Sequence, residues 1–139
     1  MILIDTSSWI DLLRDGSGRR RRACDEVVQD EDIVLARFVQ LELLQGAANE
    51  REWSLLAEAL DTQRYLEAGP ETWPAAARIY FELRRQGLTV RSPVDCCIAQ
   101  LALDHDALLL HRDRDFATIG RIRPLRQRFL TWPDDAPSG

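Results

Sequence analysis

The chain has 139 residues, 45% of them hydrophobic and 29% charged, and a formal net charge of −5. That size and balance predict one globular domain with a real core and exclude dominant disorder, and the acidic excess argues against passive nucleic-acid binding through bulk charge. No apolar run approaches the ~18 residues of a membrane span, and the Met-Ile-Leu-Ile-Asp start lacks the basic region of a secretory signal, so the expectation is a soluble, cytoplasmic protein without membrane partners.

Ile2 to Ile4 is a short apolar run that reads as a buried strand. A helix follows from about Ser7 to Arg14, and Asp15-Gly16-Ser17-Gly18 breaks it. Arg19 to Gln29 predicts a charged helix and Ile33 to Ala36 a second buried strand. Helices then run from about Phe38 to Ala48 and from Glu50 to Leu60, and Leu66 adds a brief extended piece. From Pro70 to Gln86, apolar residues from Trp73 to Leu83 recur near the helical period, and Gly87 ends that helix. Ser92-Pro93 opens another with a capping serine and a proline at the first helical position, continuing to about Asp104. Ala107 to Leu110 is a third buried strand. A polar acidic loop follows, and Ile122 to Leu130 holds a final strand interrupted by Pro124. Residues 1–130 form the domain, and Thr131 to Gly139, with two prolines, reads as a flexible tail. Short apolar strands alternating with helices predict an α/β fold with a mainly parallel central sheet of about four or five strands.

All 18 basic residues are arginine. The absence of lysine excludes a Walker loop, a Schiff-base enzyme and a lysine-dependent receiver domain, and leaves groups suited to forked phosphate contacts. The three cysteines, Cys24 and the adjacent Cys96 and Cys97, have neither zinc spacing nor a disulfide framework.

In an open parallel sheet, functional groups gather beyond the carboxyl ends of the strands. Asp5 directly follows the first strand, and Asp113 and Asp115 follow the third. Taken alone, Asp5 also reads as a helix N-cap, and the other two as a solvated turn. Asp95, at the third helical position after Ser92, also reads as a capping-box acid, yet it shares an i, i+3, i+4, i+7 face with Ile98, Ala99 and Ala102. Glu42 lies between Leu41 and Leu43, where a buried charge needs an arginine or a metal ion as partner; the alternative is an exposed stripe on an otherwise buried helix. Several carboxylates converging on one end of a sheet require protonation or a cation, and all-oxygen ligation favours Mg²⁺ or Mn²⁺ over zinc. Such a site performs phosphoryl-transfer chemistry.

Four pieces resemble the PIN domain, and specifically the VapC-type toxins of bacterial toxin–antitoxin pairs. They are Ile2-Leu3-Ile4-Asp5-Thr6-Ser7, Glu42-Leu43-Leu44-Gln45-Gly46, Ser92-Pro93-Val94-Asp95-Cys96-Cys97-Ile98-Ala99 and Arg112-Asp113-Arg114-Asp115-Phe116. Their order and spacing cover Met1 to about Leu130. The resemblance implies a PIN-like α/β/α sandwich and a metal-dependent endoribonuclease acting on structured RNA such as tRNA or rRNA, leaving a 5′-phosphate and a 3′-hydroxyl. It places Asp5, Glu42, Asp95 and Asp113 in the four acidic catalytic and metal positions and Asp115 as a fifth, supporting acid. Thr6 or Ser7 would orient a carboxylate or a water, and both join Arg112 as candidates for substrate contact. The resemblance also implies a homodimer silenced by a VapB-type antitoxin. The apolar surfaces of the Leu55 to Leu60 and Trp73 to Tyr80 segments are candidates for the antitoxin contact. His111 departs from the family's usual threonine, serine or asparagine and reads as a partly exposed strand-end residue. A nuclease acting on DNA, a phosphatase, and a non-catalytic RNA-binding module are the alternatives.

Overall fold

The computed structural model describes residues 1–135 of the chain. In chain order the elements are β1 (Ile2–Ile4), α1 (Thr6–Arg14), α2 (Arg19–Val28), β2 (Ile33–Ala36), α3 (Arg37–Gln45) and α4 (Glu50–Asp61). There follow β3 (Tyr65–Leu66), α5 (Thr72–Arg85), α6 (Pro93–Asp104), β4 (Leu108–His111), α7 (Arg114–Ile119) and β5 (Gln127–Phe129). The strands form one five-stranded sheet in the order β3-β2-β1-β4-β5, and every neighbouring pair is parallel.

Side chains alternate across a strand, so each central strand feeds both faces of the sheet. Leu3 and Leu109 point into the larger core, with Val39 of α3, Ile79 and Leu83 of α5, and Ile98 and Leu101 of α6. Ile2, Ile4 and Leu110 point the other way, onto Cys24 and Val28 of α2 and onto Trp132. Burial on both faces is why these strands read as unbroken apolar runs. No helix of the described residues is long and apolar enough to cross a membrane.

Local chemistry sets the element ends. Asn49 caps α4 by accepting the Glu52 N–H at 2.8 Å, and Ser92 caps α6 by accepting the Val94 N–H at 3.1 Å. Gly87 closes α5 at φ +72°, a conformation in which a side chain is strained.

Two expectations are corrected. The acidic loop after β4 contains the six-residue helix α7. Its apolar signal is only Phe116 and Ile119, three apart, too short a pattern to declare a helix. The tail does not begin at Thr131. Trp132 is 2% exposed, and its indole N–H donates to Asp11 Oδ2 at 3.0 Å. Arg112 holds Asp135 through both carboxylate oxygens, at 2.9 and 2.8 Å, and Arg20 holds Asp134. Thr131–Asp135 is therefore part of the packed domain, and the rest of that predicted tail lies outside the described residues.

Candidate active site

From β1 the chain lays down β2 and β3 on one side, then returns to place β4 and β5 on the other. This reversal leaves a crevice beyond the carboxyl ends of β1 and β4, the usual ligand position in an open parallel sheet. Asp5 and Asp113 leave from those two strand ends. The strands are level there: Ile4 pairs with Leu110, and the Asp5 N–H donates to the Leu110 carbonyl at 3.1 Å.

Asp5 is buried and caps α1. Its Oδ1 accepts the Ser8 N–H at 3.2 Å and its Oδ2 accepts the Ser7 hydroxyl at 2.7 Å. Burial pushes the carboxyl pKa up, and the hydrogen bonds from Ser7 and Ser8 hold part of that rise back. Thr6 donates its hydroxyl to Glu42 Oε1 at 3.1 Å, tying the middle of α3 to the start of α1. A neutral hydroxyl is thus the partner of Glu42; no ion pair to it occurs among the described residues.

Asp95 sits in the first turn of α6. Its carboxylate accepts no hydrogen bond from the Ser92 N–H among the described residues, so the capping-box reading does not apply. Burial raises its pKa to about 7, with Asp113, Asp115 and Asp5 adding to the rise in that order and Arg91 opposing it. Asp113 caps α7: its Oδ1 accepts the Asp115 N–H at 2.9 Å, which leaves Oδ2 facing the crevice. There Arg91 donates to Asp113 Oδ2 at 2.8 Å and, through its side-chain Nε and its backbone N–H, to Asp115 Oδ2 at 3.2 and 3.0 Å.

Asp95, Asp113 and Asp115 each bring a carboxylate oxygen within 4.8 Å of the other two. Among the described residues they are the only group of three or more acidic, histidine or cysteine ligands so arranged. Asp95 and Asp113 border an open depression of about 370 Å³ that Glu42, Arg91, Ser92 and Val94 also line. Two carboxylates at such a distance repel by roughly 3.5 kcal/mol at an effective dielectric near 20. The trio therefore calls for positive charge, and its all-oxygen donor set fits a hard dication such as Mg²⁺ or Mn²⁺. In this structure Arg91 supplies the charge from an exposed side chain.

The geometry reorders the candidates. Asp115, expected only to support, stands in the tightest trio because Arg91 draws it to Asp113. Asp5, expected beside Asp95 and Asp113, stays near enough to perturb Asp95 but is pinned to its own helix by Ser7 and Ser8. Thr6 and Ser7 each hold a carboxylate. Arg112 does not reach the crevice. Its guanidinium is committed to Asp135 and to the Leu130 carbonyl at 2.8 Å, and it stacks over Phe129 and Trp132. His111 is not partly exposed but 1% exposed, because β4 continues through it, and burial holds its imidazole below the ordinary pKa. Arg91 is a site residue that the sequence did not single out among its 18 arginines. Its signal was its place immediately before the Ser92-Pro93 helix start, which sets it over the N-terminus carrying Asp95.

Comparison with known proteins gives a consistent result. The family model for the PIN domain matches residues 2–122. A VapC ribonuclease of Mycobacterium bovis is 36% identical over 129 residues, covering 91% of this chain and 96% of that protein. The ribonuclease VapC11 of Mycobacterium tuberculosis matches with the same identity and coverage. Among solved structures, VapBC2 from Rickettsia felis, bound to a DNA fragment from its promoter, superposes with a TM-score of 0.75 at 18% identity, covering 94% of this chain and 100% of that one.

Proposed function

This chain belongs to the PIN-domain family, in its VapC branch, and from that premise we propose that it is a metal-dependent endoribonuclease toxin restrained by a VapB-type antitoxin. The observation that carries the reading is the convergence of Asp95, Asp113 and Asp115, with Asp5 beside them, at the reversal point of the sheet. A hard dication held there, Mg²⁺ or Mn²⁺, supplies Lewis acidity at the phosphate and lowers the pKa of a water.

The remaining roles belong to the chain's own groups. Asp5, Asp95, Asp113 and Asp115 would hold the ion, their negative charges balancing it. Glu42, fixed at Oε1 by Thr6, keeps Oε2 free to accept a hydrogen bond from the attacking water. Arg91, at the rim and bound to Asp113 and Asp115, would be the group that contacts the substrate phosphate if those acids held a cation instead. The products are a 5′-phosphate and a 3′-hydroxyl.

The antitoxin occupies the cleft of about 500 Å³ lined by Trp9, Leu12 and Leu13 of α1 and Leu56 and Leu60 of α4. Leu13 and Leu55 stand exposed on those helices, and an apolar antitoxin segment would cover them. Leu41 and Trp73, exposed on α3 and α5, are the surface for a second copy of the chain.

The test is incubation with structured RNA, single-stranded DNA and a small phosphate ester, each with Mg²⁺ and again with a chelator. Cleavage of RNA alone, abolished by the chelator and by Asp5→Asn, is the expected result. Cutting of DNA or the ester in preference to RNA, or RNA bound equally with and without chelator and left intact, would overturn it.

A further inference from the structure

His111 is buried at the end of β4, immediately behind the acids, and the roles proposed above do not use it. Its Nδ1 accepts the Asp113 N–H at 3.2 Å, and its Nε2 lies 2.8 Å from Gln127 Oε1. Gln127, on β5, donates its Nε2 to the Phe116 carbonyl at 2.8 Å. That carbonyl can only accept, so the amide nitrogen of Gln127 must face it and the amide oxygen must face His111. The proton of His111 then sits on Nε2, leaving a lone pair on Nδ1. The Asp113 N–H demands the same lone pair from the other side, so both ends of the chain of bonds select one tautomer.

The surroundings are built to this arrangement. The His111 ring packs against Phe116, centroids 4.9 Å apart, and edge-on to Phe129 at 5.8 Å. A Cβ at Gly120 would stand 2.5 Å from Gln127 Nε2, so the glycine leaves the space in which that amide reaches Phe116. The bonds close a loop from β4 through β5 to α7 and back to Asp113, whose own carbonyl accepts the Phe116 N–H at 3.2 Å. Asp113 is thereby held at its N–H by His111 and at Oδ1 by Asp115, and only Oδ2 is turned to the crevice.

We propose that His111 is a positioning residue: with Gln127 it fixes the Asp113 peptide so that one carboxylate oxygen is presented to the cation and substrate. The proposal rests on the nuclease reading for its consequence, but not for its geometry. Outer partners of metal-binding side chains are commonly worth about 10- to 100-fold in affinity or activity.

The test compares wild type with His111→Leu, His111→Asn and Gln127→Met. Asparagine retains an acceptor two residues before the Asp113 amide, whereas leucine retains only bulk. Hydrogen exchange at the Asp113 amide and the ring ¹⁵N shifts of His111 are read in metal-free protein without RNA. The expected result is an Nε2–H tautomer in wild type and Asp113 exchange faster by up to about 10-fold in His111→Leu, which loses one hydrogen bond, but close to wild type in His111→Asn. RNA cleavage should follow the same order, with kcat falling about 10-fold in His111→Leu, KM little changed, and Gln127→Met in between. A protonated Nδ1 in wild type, or Asp113 exchange unchanged in His111→Leu, would overturn the proposal. If wild type cuts no RNA, the nuclease reading fails, while the exchange and tautomer results still decide the positioning.

Discussion

In the metal-free protein Asp95 should be a destabilising residue. Its carboxyl is raised from 3.8 to about 7, first by burial and then by Asp113, Asp115 and Asp5. A carboxyl held higher in the folded than in the unfolded chain binds its proton more tightly when folded. Its contribution to stability is therefore complete below about pH 4 and is lost as pH rises to about 7. A rise of that size corresponds at most to roughly 4 kcal/mol, and because the group is only half-buried, solvent screening reduces this to on the order of 1–2 kcal/mol. Asp95→Asn removes the penalty but also gives up a negative charge in the first turn of α6, worth about 0.3–1 kcal/mol. The net expectation at pH 8 is a gain of roughly 1 kcal/mol, or about 3–4 °C in melting temperature for a domain of this size. At pH 4 the two proteins should melt together. Thermal melts of chelator-treated wild type and variant across this range, with and without Mn²⁺, measure it. Mn²⁺ should raise the wild-type melting temperature well above that of the variant. A variant less stable than wild type at pH 8, together with equal Mn²⁺ stabilisation of both, would refute the reasoning.

Arg91→Ala removes the cation that bridges Asp113 and Asp115. Less Mn²⁺ should then be needed to stabilise the protein, while KM for RNA rises; an unchanged Mn²⁺ midpoint would show that Arg91 does not compete for the acids. Thr6→Val keeps the shape of the side chain but releases Glu42 Oε1. Single-turnover cleavage should slow by about 10-fold with substrate affinity retained. Arg112→Ala breaks the hold on Asp135 and Leu130, so denaturant melts should lose about 2 kcal/mol. The KM for RNA should stay unchanged, because Arg112 does not reach the crevice; a raised KM at full folding would return Arg112 to substrate contact.

Much of the fold was legible because the central strands are buried on both faces. Ile2 to Ile4 and Ile33 to Ala36 carry no polar residue to interrupt their runs, and the structure keeps both bounds. The helix start signalled by Ser92-Pro93 falls where the chain places it, and the helix read from Glu50 also begins there. The failures occur where the deciding contact is far away in sequence. Trp132 looked like part of a proline-flanked tail because its partners, Asp11 and the face of β1, lie about a full chain length away. The burial of His111 depends on Phe116, Gln127 and Phe129 closing over it, which no periodicity within β4 encodes.

The site divides in the same way. That Asp95 and Asp113 meet at one end of the sheet was readable from a strand end and from one polar position on an apolar helix face. The order among the acids was not. Asp5 is drawn back by Ser7 and Ser8, while Asp115 is pulled forward by Arg91, and both displacements come from hydrogen bonds that depend on three-dimensional packing.

The account stands on a cation held jointly by acids from separate segments. A crystal soaked in Mn²⁺ and measured at the manganese absorption edge locates that cation directly. The account predicts one strong anomalous peak among the carboxylates of Asp95, Asp113 and Asp115, on the side facing Asp5, and its disappearance in Asp113→Asn. A peak elsewhere on the molecule, or one that persists unchanged in Asp113→Asn, would contradict it.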